Sequence, residues 1–157
     1  QKKYSVKIPN DKNIASLNLR SKYAKVFVQK SEAGDYETVI LSHWGKGLWS
    51  TMYGFLALGS DLNTIKGFGY YSHGETPGLG GEVDNQTWKN QWIGKKLYGE
   101  EGQVKFKVAK TEGTGEYQVD GLSGATITAN GVTSSMKYWF AAHGYKGFLS
   151  NLKSGGI

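Results

Sequence analysis

The sequence contains no cysteine and only 2 prolines among its 157 residues. Without cysteine the chain cannot form a disulfide, a thiolate metal centre or a thiol nucleophile. No apolar run approaches the roughly 18 residues that a membrane-spanning helix requires. The 23 glycines follow no fixed period. Together with the scarcity of proline, this excludes a collagen-like chain and a proline-rich linker.

Large apolar side chains are plentiful by contrast. The chain has 10 Tyr, 6 Phe and 5 Trp, and 38% of its residues are hydrophobic. A folded domain of this length buries roughly 68–70% of the surface that its unfolded chain exposes. These aromatic side chains supply enough apolar surface to offset the loss of chain entropy, so we expect one compact domain.

The positive charge lies at one end of the chain. The net charge is +6, and residues 1–30 hold seven lysines and one arginine against the single acid Asp11, so residues 31–157 sum to −1. Such a cluster favours a membrane surface or an acidic neighbouring subunit, because a nucleic-acid groove needs cations spread over a folded face. We therefore expect no nucleic-acid partner, and we divide the chain into a basic N-terminal segment (1–30) and a folded domain (31–157).

The hydrophobic pattern predicts an α+β fold in which a mostly antiparallel sheet is flanked by helices. Alternating runs over 23–28 and 37–43, separated by the turn residues 32–35, predict a hairpin. A glycine-rich loop is expected over 74–81. Four further strands are predicted, at 47–58, 64–73, 104–108 and 117–119.

Helical spacing of apolar residues predicts three helices. The first is expected over 85–98, capped by Asp84 and ended by Gly99. The second begins after Gly124, where the spacing of apolar residues changes from two to between three and four. The third is expected over 145–152.

The segment with the strongest chemical signal is the small-residue turn over 120–128, DGLSGATIT, which leads directly into the second helix. A helix N-terminus presents unpaired N–H groups and a partial positive charge, and small residues let a phosphate approach the backbone closely. One interpretation is therefore a phosphate-bearing ligand. The other is that Thr128 caps the helix while Ser123 forms a hydrogen bond within the turn.

The string SGAT at 123–126, with Asp120 three residues before its serine, resembles the flavinylation motif of the FMN-binding domain family. Two further segments match in the expected order, GLWSTMYG at 47–54 and ETPGLGGE at 75–82. The resemblance covers residues 35–145 and is greatest to the C subunits of Na⁺-translocating NADH:quinone reductases. The G subunits of Rnf electron-transport complexes share the first motif and the Glu-Thr-Pro-Gly-Leu-Gly loop, and they remain the alternative within the family.

The resemblance implies that Thr126 is esterified to the phosphate of FMN by a separate flavin transferase that uses FAD, with Asp120 taking part in recognition or reaction. It also implies an electron carrier inside a membrane NADH:quinone oxidoreductase that transports Na⁺, with the other subunits as partners. The domain would lie on the periplasmic side of the bacterial inner membrane. Family members have an N-terminal membrane helix that this sequence lacks, so we expect the basic segment to lead from a missing anchor.

Two groups of residues are predicted to hold the FMN. The phosphate group would be bound near Thr126 by Ser123, Gly124, Ala125 and Thr128. The isoalloxazine ring needs a flat apolar slot with a few polar anchors, and the residues expected to form it are Trp49, Leu79, Gly78, Gly80, Ser50, Glu75 and Thr76. The alternatives are that Trp49 is an ordinary core aromatic and that Leu79 only anchors its own turn.

A rival interpretation from another class is a non-redox periplasmic binding or adaptor domain. The sequence shows no independent set of catalytic acids, bases or nucleophiles. The three histidines, His43, His73 and His143, lack the spacing of metal ligands, and we expect them to be structural. No metal site is predicted.

Overall fold

The computed structural model describes residues 4–155. Its strands are β1 (Ser5–Lys7), β2 (Leu19–Ser21), β3 (Val26–Lys30), β4 (Tyr36–Lys46), β5 (Thr51–Gly59), β6 (Ile65–Ser72), β7 (Lys107–Val108) and β8 (Gln118–Val119). Its α-helices are α1 (Gln86–Asn90), α2 (Thr126–Trp139) and α3 (Lys146–Lys153), and 3-10 turns cover Asn10–Lys12 and Gly80–Asp84. The predicted α+β class is confirmed.

The main sheet is antiparallel, with its four strands in the order β3-β4-β5-β6. β3 and β4 form the predicted hairpin, and its turn contains Gly34 at a φ of +89°. Residues on β4 alternate between buried and partly exposed, with Val39 and Leu41 facing the core. This alternation is what an antiparallel sheet with one covered face requires.

The described part of the basic N-terminal segment packs on the same core. β1 and β2 pair as a small antiparallel sheet. The side chains of Ile8 and Leu17 are buried, as is Ala15, whose carbonyl oxygen accepts a 3.2 Å hydrogen bond from the Lys46 backbone N–H. Since β3 ends at residue 30 and pairs with β4, the boundary expected at residue 30 falls inside the hairpin.

Helix α2 lies across the covered face of the sheet, as its apolar stripe predicts. Val132 and Met136 are fully buried against the sheet. Two glycines permit the close approach: a Cβ on Gly45 would lie 2.8 Å from the Ser135 Cβ, and a Cβ on Gly131 would collide with the Lys46 carbonyl oxygen. This contact fixes the start of α2 relative to the end of β4.

The first predicted helix is wrong in length and in its cap. The apolar residues of segment 85–98 are buried, but the helix α1 ends at Asn90 and Gly94 adopts a φ of +83°. The backbone then returns to β6, where the N–H of Gly94 donates to the Ile65 carbonyl at 2.9 Å. The Asn85 side chain caps α1 by accepting from the N–H groups of Thr87 and Trp88, so the cap is not Asp84.

Two predicted strands are shorter than the pattern indicated. The strand expected over 47–58 begins at Thr51, because residues 47–50 form a loop. The strand expected over 104–108 is reduced to β7, which pairs in parallel with β8. The predicted strands over 64–73 and 117–119, and the helices after Gly124 and over 145–152, are confirmed within one or two residues. None of the helices in residues 4–155 is long and apolar enough to cross a membrane.

Buried His43 makes the stability of the fold depend on pH. The imidazole is 1% exposed and packs against Phe68 and Tyr70. Burial lowers the pKa of His43 from 6.5 to about 3, because a low-dielectric environment disfavours the charged form. The unfolded chain takes up a proton below pH 6.5 that the folded chain refuses, so the free energy of unfolding should fall as the pH drops from 6.5 toward about 3.

This dependence can be measured from chemical-denaturation midpoints across that pH interval. The variant His43→Gln should show a shallower loss of stability than the parent chain, because glutamine does not titrate. Equal slopes for the two proteins would contradict a neutral, buried His43.

Candidate functional site

Three loops meet at the N-terminus of α2. They are the β4–β5 loop (47–50), the glycine-rich loop (74–80) and the turn over 120–125. The last two are in contact, because a Cβ added to Gly124 would lie 2.9 Å from Cδ2 of Leu79. Gly124 also has a φ of +68°, a conformation that glycine adopts without strain. The structure therefore brings the three motifs of the sequence together at one place.

The carboxylate of Glu75 lies at the centre of this junction. Its Oε1 accepts hydrogen bonds from the N–H of Trp49 at 3.0 Å and from the N–H and hydroxyl of Ser50, both at 2.9 Å. Its Oε2 accepts from the N–H of Leu48 at 3.0 Å and from the hydroxyl of Thr128 at 2.6 Å. Glu75 is 5% exposed, so one buried side chain joins the β4–β5 loop to α2.

Glu75 is ionised at neutral pH. Burial alone would raise the pKa of its carboxyl group, but the hydrogen bonds from Thr128, Ser50 and Trp49 outweigh burial and lower the pKa to about 2. A charged acceptor strengthens each of these hydrogen bonds. A buried negative charge is thus held in place by fixed donors from two separate segments.

Two large apolar side chains project from the junction into solvent. Trp49 is 67% exposed and Leu79 is 44% exposed. The alternative that Trp49 is an ordinary core aromatic is therefore wrong. Exposure of a tryptophan on a loop whose backbone is fixed by three hydrogen bonds to Glu75 indicates a surface prepared for a flat apolar partner.

The polar and glycine residues of loop 74–80 shape the presentation of Leu79. The carbonyl oxygen of Thr76 accepts from the N–H of Leu79 at 3.1 Å and from that of Gly81 at 2.8 Å. Gly78 has a φ of +75°. A Cβ on Gly80 would lie 2.6 Å from Oγ1 of Thr128, so a side chain at that position would force the loop off α2.

Helix α2 begins without a side-chain cap. Its N-cap residue is Ala125, which provides no side-chain hydrogen bond, and the first helical residue, Thr126, is exposed. The first N–H groups of a helix have no partner inside the helix and carry a partial positive charge. An exposed hydroxyl is thus placed beside a feature that favours an anion.

Thr128 does not cap the helix. It lies in the first turn, three positions after Ala125, and is 1% exposed. Its hydroxyl donates its single hydrogen to Glu75. In this structure Thr128 is a link between α2 and the carboxylate at the junction.

A cleft of about 520 Å³ adjoins Thr126, between residues 110–112 and the turn over 120–126. Asp120 holds this turn in place: its Oδ1 accepts from the Gly113 N–H at 2.7 Å, and its Oδ2 accepts from Nε2 of Gln91 at 2.8 Å. Gln91 also accepts from the Asp120 N–H at 2.9 Å. Sequence reasoning identified Asp120 but missed Gln91, because no local signal links residues so far apart in the chain.

The residues at the junction fit a flavin mononucleotide. Thr126 offers an exposed hydroxyl to a phosphate, with the exposed Ser123 and the small Gly124 beside it. Trp49 and Leu79 offer apolar surfaces to a flat ring. The space between Leu79 and Gly124 exists because position 124 has no Cβ. These features define a small flavin-binding domain of α+β class.

The chain belongs to the FMN-binding domain family, whose profile matches residues 47–141. Within this family it is similar to proteins named as the C subunit of the Na⁺-translocating NADH-quinone reductase. It is 46% identical over 153 residues to the one from Pseudomonas aeruginosa, covering 94% of this chain and 58% of that protein. The corresponding protein from Neisseria meningitidis serogroup B is 45% identical, with 97% and 59% covered.

Solved structures agree with this assignment. The crystal structure of Shewanella oneidensis NqrC superposes with a TM-score of 0.89 at 37% identity, covering 98% of this chain and 71% of that one. The crystal structure of the corresponding protein from Parabacteroides distasonis gives a TM-score of 0.69 at 34% identity, with 88% and 66% covered. The chain spans about 58% of the length of the Pseudomonas aeruginosa relative. The resemblance seen in the sequence is confirmed.

Proposed function

We propose that this chain carries FMN as a phosphate ester of Thr126 and serves as an electron-carrier domain in a Na⁺-translocating NADH:quinone reductase. The observation that carries the proposal is the placement of the exposed Thr126 at the uncapped start of α2, in a family member whose neighbouring loops expose Trp49 and Leu79. Bound FMN supplies reversible one-electron and two-electron chemistry.

The phosphate is held where the backbone favours negative charge. Ser123, Gly124 and Ala125 supply a turn of small residues, and the helix dipole of α2 stabilises an anion within the first turn. Thr126 itself forms no hydrogen bond to another side chain in residues 4–155. Since nothing in this part of the chain activates its hydroxyl, the ester requires a separate flavin transferase.

The ring lies between Trp49 and Leu79. Both side chains are exposed, and both project from backbones that are fixed by hydrogen bonds within the junction. Ser50, Thr76, Gly78 and Gly80 shape the loops that carry them. A ring bound in this way stays at the surface of the domain, where electron donors and acceptors on other subunits can approach it.

The remaining parts of the proposal come from the relatives. Their printed name assigns them to a Na⁺-translocating NADH-quinone reductase, so we place this domain among the other subunits of that membrane complex. We infer attachment to the bacterial inner membrane, with the domain on the periplasmic side, and a basic segment at residues 1–30 that leads from the membrane anchor. Residues 1–3 of that segment lie outside the described part of the chain.

The electron-carrier role can be tested in the assembled complex. With Thr126→Ala in this chain, the complex should assemble but should lose electron transfer from NADH to quinone. The matched variant Thr111→Ala changes an exposed threonine lining the same cleft and should keep the wild-type rate. Wild-type quinone reduction by an assembled Thr126→Ala complex would exclude a carrier role for this domain.

The position of the ring makes a separate prediction. Trp49→Ala should leave the flavin attached, because Trp49 is remote in sequence from the ester, but it should change the visible absorption spectrum or midpoint potential of the flavin by removing a stacked aromatic surface. The measurement is a spectroelectrochemical titration of the purified flavin-loaded chain. An unchanged spectrum and potential would show that the ring lies against a different residue.

A further inference from the structure

Glu75 is positioned to control the flavin without touching it. A carboxylate offers about four lone-pair sites, and that of Glu75 accepts five hydrogen bonds, all from the protein. No acceptor site is left for a ring N–H or a ribityl hydroxyl. The role of Glu75 must therefore be sought in what its donors belong to.

Those donors belong to the two parts of the site that must stay in register. Three of them are the backbone N–H groups of Leu48, Trp49 and Ser50, on the loop that carries the exposed indole. Another is the hydroxyl of Thr128, which lies two residues after Thr126 in the first turn of α2. One carboxylate thus spans the segment that presents Trp49 and the segment that bears the ester.

The packing around Glu75 leaves no room for an alternative arrangement. A Cβ on Gly47 would lie 2.6 Å from Cδ of Glu75, and a Cβ on Gly80 would lie 2.8 Å from its Oε2. The hydroxyl of Ser50, besides donating to Glu75, accepts from the Gly74 N–H at 2.8 Å. The β4–β5 loop and the glycine-rich loop are therefore both built closely onto the carboxylate.

We propose that Glu75 is a positioning residue: its hydrogen bonds to the β4–β5 loop and to Thr128 set the distance between the Trp49 ring and the Thr126 ester, and so hold the flavin against Trp49. This inference rests on the proposed function. It differs from the expectation that Glu75 binds the flavin directly. Loss of the link should free the ring from the indole while leaving the ester intact.

Two variants on opposite sides of the link test this proposal in the flavin-loaded full chain. Glu75→Gln removes the charge and turns one acceptor into a donor. Thr128→Val keeps the volume but removes the hydroxyl that donates to Glu75. Stacking on tryptophan quenches flavin fluorescence, so both variants should show a several-fold rise in flavin fluorescence and a changed midpoint potential, with the flavin mass unchanged. Thr128→Ser restores the hydroxyl and should return the fluorescence to the parent level.

A control separates positioning from general stability. Asn63 forms a comparable knot away from the site, since its Oδ1 accepts from the N–H groups of Leu97 and Tyr98. Asn63→Ala should lower the unfolding temperature but leave flavin fluorescence and potential as in the parent. If Glu75→Gln and Thr128→Val also lose only stability, the positioning role is overturned. If the parent chain carries no flavin at all, it is the proposed function that fails.

Discussion

Replacing Thr126 by alanine is expected to abolish the flavin that stays with the protein after denaturation. The ester needs a hydroxyl at the exposed first position of α2, and alanine provides none. Non-covalent binding through Trp49 and Leu79 would not survive unfolding of the loops that carry them. The measurement is the visible absorbance of protein precipitated in acid and redissolved in denaturant, after production together with a flavin transferase.

The matched control for this experiment is Thr111→Ala. Thr111 is an exposed threonine that lines the same cleft as Thr126 but lies outside the SGAT string. It should retain flavin at the parent level. Full retention by Thr126→Ala would show that the flavin is attached elsewhere, and loss of flavin from both variants would point to a damaged cleft.

Replacing Trp92 by alanine is expected to lower the free energy of unfolding by about 3–5 kcal/mol. Trp92 is fully buried, its ring stacks on Phe68 at a centroid distance of 3.6 Å, and it contacts Trp88 and Phe106 at 5.5 and 4.3 Å. Removing the indole leaves a cavity at the centre of this aromatic cluster. The loss should appear as a lower midpoint in chemical denaturation.

The same sequence offers an internal comparison. Trp49 is 67% exposed, so Trp49→Ala should change the free energy of unfolding of the flavin-free chain by no more than about 0.5 kcal/mol. Trp92→Phe should lose less than Trp92→Ala because it keeps a ring against Phe68. Equal losses for Trp49→Ala and Trp92→Ala would contradict the assignment of one tryptophan to the surface and the other to the core.

The sequence predicted those elements whose pattern is local. The hairpin of β3 and β4 and the apolar stripe of α2 appear as predicted, because alternation and helical spacing report directly on which face is buried. The helix expected over 85–98 failed because Trp88 and Trp92 can be buried by a short helix followed by turns. Gly94, at positive φ, redirects the chain there to pair with β6.

The site was predictable in membership but not in its internal connections. The three motifs identified the loops that meet at α2, and the exposure of Trp49, Leu79 and Thr126 suits the roles expected of them. The hydrogen bond from Thr128 to Glu75 joins residues 53 positions apart. Its pairing follows from the packing of α2 on β4, which no local pattern encodes.

The most direct test of the flavin ester is peptide mapping by mass spectrometry of this protein purified from its natural source. We predict that the peptide containing residues 120–128 carries the added mass of one FMN phosphate ester and that fragmentation places it on Thr126. An unmodified Thr126 in every copy, or FMN mass on another residue, would contradict the proposed attachment and the carrier role built on it.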